Sequence, residues 1–179
     1  LLDVMLESGE CLMQSHEDVQ FFLPRAHTID RSELEAFIKE RKVPVTITEN
    51  HTYDLMQICD VCLAASGTAT LETAMMELPT VLLYKVSPIT YGIGKMVVNL
   101  THVGLPNIVA GKEVIPELLQ GDVSVDAIVN TVLPLLDDLH INQSMRTELR
   151  GVKEKLGESG AVNRVAQLIY DLGKERINE

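Results

Sequence analysis

The sequence predicts an α/β fold of Rossmann-like type, a doubly wound parallel sheet covered by helices on both faces. Three observations predict it. Short runs that read as strands alternate with helical patterns of about ten residues, the kind of connection a parallel crossover needs. Two of the runs, residues 60–64 (Asp-Val-Cys-Leu-Ala) and 80–84 (Thr-Val-Leu-Leu-Tyr), are nearly unbroken apolar stretches, as interior strands of a two-sided sheet are. A turn of small residues, Ser66-Gly67-Thr68, then joins the first run straight to a helix.

The elements follow in order. Residues 1–14 form a helix with Leu2, Met5, Leu6, Leu12 and Met13 on one side, and residues 18–23 a strand ended by Pro24. Residues 31–41 are helical, with Leu34, Phe37 and Ile38 inward and Asp30 or Ser32 as cap. The alternating Val-Thr-Ile-Thr of 45–48 is a strand, and residues 51–58 a short helix. The strand at 60–64 leads through the turn into a helix at 68–77, stopped at Leu78-Pro79 because proline cannot continue it. After the strand at 80–84, residues 88–100 read as a helix with Pro88 in its first turn and Ser87 as cap. Residues 103–109 read as short and extended, interrupted by Pro106, and residues 113–120 as a brief helix. Three further helices occupy 124–136, 142–156 and 162–174, the last two separated at 157–160.

The 179 residues suffice for one compact domain with a sizeable core, and a 46% apolar composition argues against disorder. No window approaches the roughly 20 apolar residues of a membrane-spanning helix. The opening Leu-Leu-Asp-Val-Met has no basic leader and reads as the inside of an amphipathic helix, so a longer parent protein is expected. The formal net charge is −11 and no Lys/Arg cluster stands out, which disfavours nucleic acid as a partner. An anionic ligand must then be held by local devices, because the overall field repels it. Cys11, Cys59 and Cys62 lack the companions of a metal or redox site and read as reduced thiols of a cytoplasmic protein. The five histidines show no metal-ligand spacing, so no metal and no cofactor is expected.

The turn at Ser66, Gly67 and Thr68 is the most informative stretch. A bend of small residues between a buried strand and a helix aims backbone N–H groups and the positive end of a helix dipole at one point, which suits phosphate. Glu72 lies in the first turn and a half, within reach of sugar hydroxyls beside such a phosphate. The plain alternative is a tight turn with Ser66 or Thr68 as cap and Glu72 as a solvated charge. Loops around 85–88 and 105–107 are expected at the same rim of the sheet, where open α/β sheets bind ligands.

Three segments together resemble the C-terminal half of lipid-A-disaccharide synthase, an inverting glycosyltransferase family of the two-Rossmann-domain (GT-B) type. They are residues 65–72 (Ala-Ser-Gly-Thr-Ala-Thr-Leu-Glu), 84–91 (Tyr-Lys-Val-Ser-Pro-Ile-Thr-Tyr) and 103–120 (Val-Gly-Leu-Pro-Asn-Ile-Val-Ala-Gly-Lys-Glu-Val-Ile-Pro-Glu-Leu-Leu-Gln). The likeness covers residues 1–121 well and the helical tail loosely. It implies transfer from UDP-2,3-diacylglucosamine to 2,3-diacylglucosamine 1-phosphate, with release of UDP and formation of the lipid A disaccharide of Gram-negative bacteria. It also implies that residues 1–160 are the UDP-sugar donor-binding domain, without its first strand and the family's Gly-Ser-Arg loop. Residues 161–179 would be a C-terminal helix packing on an N-terminal acceptor domain that supplies the general base. The 179 residues alone are then expected to be inactive. The location implied is cytoplasmic, peripheral on the inner face of the inner membrane, with a homodimer among the candidate assemblies.

By the same resemblance Ser66, Gly67 and Thr68 contact the diphosphate, and Glu72 the ribose. Lys85, Ser87 and Tyr91 flank the cleft, with Lys85 standing where the family often has arginine. Gly92 and Gly94 stand where relatives tend to carry bulky apolar residues. Asn107 is a candidate reader of a sugar hydroxyl or phosphate oxygen, against the alternative of an Asx-turn residue. Glu113, Glu117 and Gln120 share a face if 113–120 is helical, although Pro116 suggests a helix start that would spoil it. Two other readings compete: an enzyme like UDP-N-acetylglucosamine 2-epimerase, and a noncatalytic Rossmann module for association through an apolar tail that includes Ile128, Val132, Leu149, Val165, Leu168 and Ile169.

Overall fold

The computed structural model describes residues 1–87, 101–157 and 160–177. In chain order the elements are α1 (Leu2–Ser15), β1 (Phe21–Pro24), α2 (Arg31–Lys39), β2 (Val45–Thr48), α3 (Thr52–Ile58), β3 (Cys62–Ala65), α4 (Thr68–Met75) and β4 (Thr80–Tyr84). They continue with α5 (Leu105–Ala110), β5 (Glu117–Leu119), a 3-10 turn at Gln120–Asp122, α6 (Val125–Asp137), α7 (Leu139–Leu156) and α8 (Ala161–Ile177). Every strand pairing is parallel. β1 pairs with β2, and β3, β4 and β5 lie side by side in that order.

β4 shows why the apolar runs become interior strands. Its side chains alternate between two helical layers. Val81 and Leu83 meet Leu12 of α1 and Ile128, Val132 and Leu135 of α6, whereas Leu82 meets Ala74 of α4 and Leu149 and Val152 of α7. All of Thr80, Val81, Leu82 and Leu83 are buried. A third cluster, Leu6, Leu34 and Ile38, packs α1 and α2 against Leu23, Val45 and Ile47 of the β1–β2 pair. Helix starts follow their caps. Asp30 accepts from the Ser32 and Glu33 N–H groups (2.8 and 3.2 Å), and the Ser32 hydroxyl, followed by those two N–H groups, holds its carboxyl below the usual range. Asp138 caps α7 from the His140 and Ile141 N–H groups, so that helix begins three residues before the expected 142.

Two sequence expectations are corrected. Residues 103–109 are not extended: Leu105–Ala110 is a helix with Pro106 in its first turn, where the missing N–H costs nothing. Residues 113–120 are not a helix: Glu117–Leu119 is a strand in register with Leu82, Leu83 and Tyr84. The apolar Leu118 and Leu119 gain more from the open edge of β4 than helical spacing offers them. The expected helix at 88–100 lies outside the described residues.

Helix α7 is fastened to the β3–α4–β4 region by charge. Arg146 donates to the Glu77 and Cys59 carbonyls (3.2 Å each), and Arg150 and Lys153 donate to the Glu77 carboxylate (2.8 and 3.4 Å). The Arg150 guanidinium holds the Glu77 carboxyl below its ordinary value. A carboxyl depressed on folding stabilises above its unfolded pKa, and the contribution is lost as pH falls through the folded value. Glu77→Gln is therefore expected to cost less than about 1 kcal/mol at pH 7, since the pair is partly solvated. In urea titrations the difference from the parent chain should close as pH is lowered below the usual carboxylate range; a constant difference at all pH values would refute this.

Candidate functional site

Strand β3 ends at Ala65 beside the end of β4, and the Ser66 N–H donates to the Leu83 carbonyl (3.1 Å), so the ladder runs into the turn. The chain then reverses at Gly67, whose φ of 151° and ψ of −167° suit glycine and strain any residue with a Cβ. Its carbonyl is taken by both the backbone N–H (3.2 Å) and the hydroxyl (2.8 Å) of Thr70. Thr70 is buried, so the turn is pinned from below. Above it there is room: a Cβ built on Gly67 meets nothing within 4 Å. No side chain caps α4, which leaves its first-turn N–H groups for something else to bind. Gly67 and Thr68 are exposed, and Ser66 and Glu72 half-buried. The Glu72 carboxylate has no hydrogen bond or ion pair among the described residues.

The loops after β4 and β5 share this rim. Lys85 and Ser87 are exposed just past β4. Gln120 follows β5 with φ 51°. With its amide oriented to satisfy both polar atoms, Gln120 donates to the Val86 carbonyl (3.0 Å) and accepts from the Val86 N–H (3.3 Å). Gln120 therefore braces the backbone of the loop that carries Lys85 and Ser87. Tyr91, Gly92 and Gly94 lie outside the described residues.

The structure separates the other candidates from this rim. Asn107 is 0% exposed and its amide is fully engaged: Nδ2 donates to the Ile115 carbonyl (2.8 Å) and to Glu117 Oε1 (2.7 Å), while Oδ1 accepts from the Val114 and Ile115 N–H groups (2.7 and 2.9 Å). It has no atom left for a ligand, and it is a clamp rather than a reader. Glu117, expected at the sugar, is similarly committed. Its side chain is 8% exposed, and its two oxygens also accept from the Val103 and Gly104 N–H groups (both 2.9 Å) at the entry to α5. Glu113 is exposed on the turn ahead of β5, beside His140 and Glu148 of α7 and toward the amino end of the strand. With β5 extended, Glu113, Glu117 and Gln120 do not share a face.

Sequence reasoning missed Thr70, whose signal was a hydroxyl three residues after the glycine, and His102, whose Nδ1 lies 4.0 Å from Glu117. What remains at the carboxyl ends of β3 and β4 is a pinned glycine turn at an uncapped helix start, with Lys85 exposed just past β4 and Glu72, unpartnered among the described residues, further along α4. An uncapped helix start suits an anion, and a free carboxylate suits hydroxyl donors. Among the described residues no group of three His, Cys, Asp or Glu side chains is arranged to hold a metal ion.

Comparison with known proteins converges on one family. The model of the family described as lipid-A-disaccharide synthetase matches residues 1–169. The lipid-A-disaccharide synthase of Geobacter sulfurreducens is 42% identical over 176 residues, covering 98% of this chain and 46% of its own. That of Nitrosococcus oceani is 38% identical over 168 residues, covering 94% and 43%. The chain thus spans about half the length of these curated relatives. A solved structure titled "Crystal structure of GtfA/B complex" superposes with a TM-score of 0.56 at 12% identity, over 99% of this chain and 33% of that one. At that identity it bears on the fold alone, and it agrees with a Rossmann-like half of GT-B type.

The clamp generates two predictions. Asn107→Ala strands three buried backbone groups, the Ile115 carbonyl and the Val114 and Ile115 N–H groups, each costing about 1–3 kcal/mol when unpaired, so the chain should lose ~3 kcal/mol or more in urea unfolding. Gly104→Ala would place a Cβ 2.8 Å from Leu82 Cδ1 and 3.1 Å from Glu117 Oε1. It should cost about 1–3 kcal/mol through overpacking. Melting temperatures equal to the parent's would refute the clamp.

Proposed function

This chain belongs to the lipid-A-disaccharide synthetase family, and from that premise we propose that it is the half of a hexosyltransferase that holds the nucleotide-sugar donor. The donor is UDP-2,3-diacylglucosamine, and the acceptor is 2,3-diacylglucosamine 1-phosphate. The products are the lipid A disaccharide and UDP. The general base and the acceptor site belong to an N-terminal domain in the full-length protein, and the 179 residues alone do not turn over. The protein works in the cytoplasm, at the periphery of the inner membrane. No helix among the described residues is long and apolar enough to cross a membrane.

The observation that carries this reading is the turn itself: a glycine at φ 151°, open space over it, and an uncapped helix start behind it. The Thr68 and Ala69 N–H groups and the α4 dipole receive the diphosphate. They stabilise the charge that grows on it as the glycosidic bond breaks. Lys85 adds a mobile positive charge, a local attraction in a chain of net charge −11. Glu72 accepts from the ribose hydroxyls, and Ser66 and Ser87 supply hydroxyls at the margins. These remote contacts orient the anomeric carbon for in-line attack. The exposed apolar residues of α8, Val162, Val165, Leu168, Ile169, Tyr170 and Leu172, 54–81% accessible, support its packing on the N-terminal domain.

Calorimetric titration with UDP tests the reading. The parent chain should bind weakly. Glu72→Ala should weaken binding about tenfold or more, since hydrogen bonds to a charged group contribute ~1.5–3 kcal/mol. Gly67→Ala should do at least as much, because the turn cannot keep its conformation. Lys85→Ala should flatten the salt dependence. A folded chain that shows no heat at millimolar UDP would overturn the assignment and leave an association module in its place.

A further inference from the structure

The backbone pairing of β4 with β5 ends at Tyr84, but β4 is held two residues further. Leu82, Leu83 and Tyr84 stand in register with Glu117, Leu118 and Leu119. Peptide groups of a strand turn alternately to its two edges. The Leu82 N–H donates to the Pro116 carbonyl (2.9 Å), so the peptide groups of Leu82, Tyr84 and Val86 face β5. Those of Leu83 and Lys85 face β3, where the Leu83 carbonyl takes the Ser66 N–H (3.1 Å). At Gln120 the backbone leaves β5 for the 3-10 turn with a φ of 51°, a conformation uncommon for a residue with a Cβ. Its side chain stays in line with the strand. The Gln120 amide accepts from the Val86 N–H (3.3 Å) and donates to the Val86 carbonyl (3.0 Å), the two bonds that a continued ladder would have given Val86. A carboxamide can do this because it offers the same C=O and N–H as a peptide group.

We infer that Gln120 is a positioning residue of the donor site: its amide stands in for a peptide group of β5, keeps β4 extended through Val86, and so aims the Lys85 N–H at the Ser66-Gly67-Thr68 turn. The Lys85 N–H is the next group along the β3-facing edge after the Leu83 carbonyl that holds Ser66. β3 offers it no partner, because Gly67 turns the chain into α4. It has no hydrogen bond among the described residues. An open backbone donor at that place joins the Thr68 and Ala69 N–H groups on one anion. Three peptide N–H groups from two elements fix a phosphate more narrowly than a helix start alone. The backbone of Gln120 fits the same role. Glycine would adopt its left-handed conformation without strain, but glycine has no amide to offer Val86. The role rests on the donor reading above, and it concerns the Lys85 peptide rather than the Lys85 ammonium.

UDP titrations of the full-length protein test it. Glycine suits a φ of 51°, so Gln120→Gly should melt with the parent, while its Val86 amide exchanges about tenfold faster for want of a hydrogen bond. UDP should bind that variant about tenfold more weakly, the worth of a hydrogen bond to a charged group. The salt dependence of binding should not change, since an N–H group carries no net charge, whereas Lys85→Ala flattens it. Lys85→Pro removes the N–H itself, at a position where it makes no ladder bond. Gln120→Gly should therefore weaken binding in a Lys85→Ala background and add nothing in a Lys85→Pro background. A further loss in the Lys85→Pro background would overturn the inference, and so would a flattened salt dependence in Gln120→Gly. If Gln120→Gly does not fold, Gln120→Met, which keeps the length and loses both bonds, decides in its place. An unsubstituted protein that binds no UDP sinks the donor reading and this role together. A parent that binds UDP, with variants at Gln120 that bind it equally well, sinks this role alone.

Discussion

Strand β4 is the constraint on which the rest depends. It is hydrogen-bonded on both edges, to β3 and β5, and covered on both faces, by α1 and α6 on one side and α4 and α7 on the other. A strand so placed can carry no charge and no free polar group, and Thr-Val-Leu-Leu-Tyr meets that condition: the Thr80 hydroxyl bonds back to the Leu78 carbonyl (2.8 Å). The two loops that leave β3 and β4 are held in place by this burial. Ser66 is tied to Leu83, and Val86 to Gln120. Both loops are therefore anchored by hydrogen bonds to their backbone.

The parts of this design that are local in sequence were legible. Unbroken apolar runs announced interior strands, and a Ser-Gly-Thr bend ahead of a helical pattern announced the turn. Of the two cap candidates offered, Asp30 and Ser32, Asp30 is the cap. The parts that failed are those decided through space. Pro106 breaks an extended segment and also opens a helix, and only the surroundings of α5 choose between the two. Glu113, Glu117 and Gln120 have helical spacing, yet residues 117–119 answer to β4, more than thirty positions earlier in the chain. Asn107 and Glu117 looked like ligand readers because they are polar residues in a motif-rich stretch. Their partners are buried amides that no spacing rule reveals.

The corrected picture divides the family-like segment at 103–120 into two kinds of residue. Asn107 and Glu117 hold the polypeptide together where α5 begins and β5 starts, while Gln120 reaches the rim and braces the loop after β4. A polar residue in such a segment thus supports the site from a distance through backbone geometry. The acidic balance of the chain fits this arrangement. On the proposed reading, attraction for an anion comes from peptide N–H groups, which carry no net charge and cannot be titrated away, aided by Lys85.

Helix α8 has a consequence for anyone handling the protein. Among its described side chains, six large apolar ones stand open to water, each more than half accessible, an amphipathic surface of the kind that drives colloidal clumping when left uncovered. The surplus of negative charge works against that tendency by mutual repulsion, and salt weakens the repulsion first. Buffers of low ionic strength, rather than the high-salt ones commonly used to keep proteins dispersed, are the ones in which these 179 residues will stay apart.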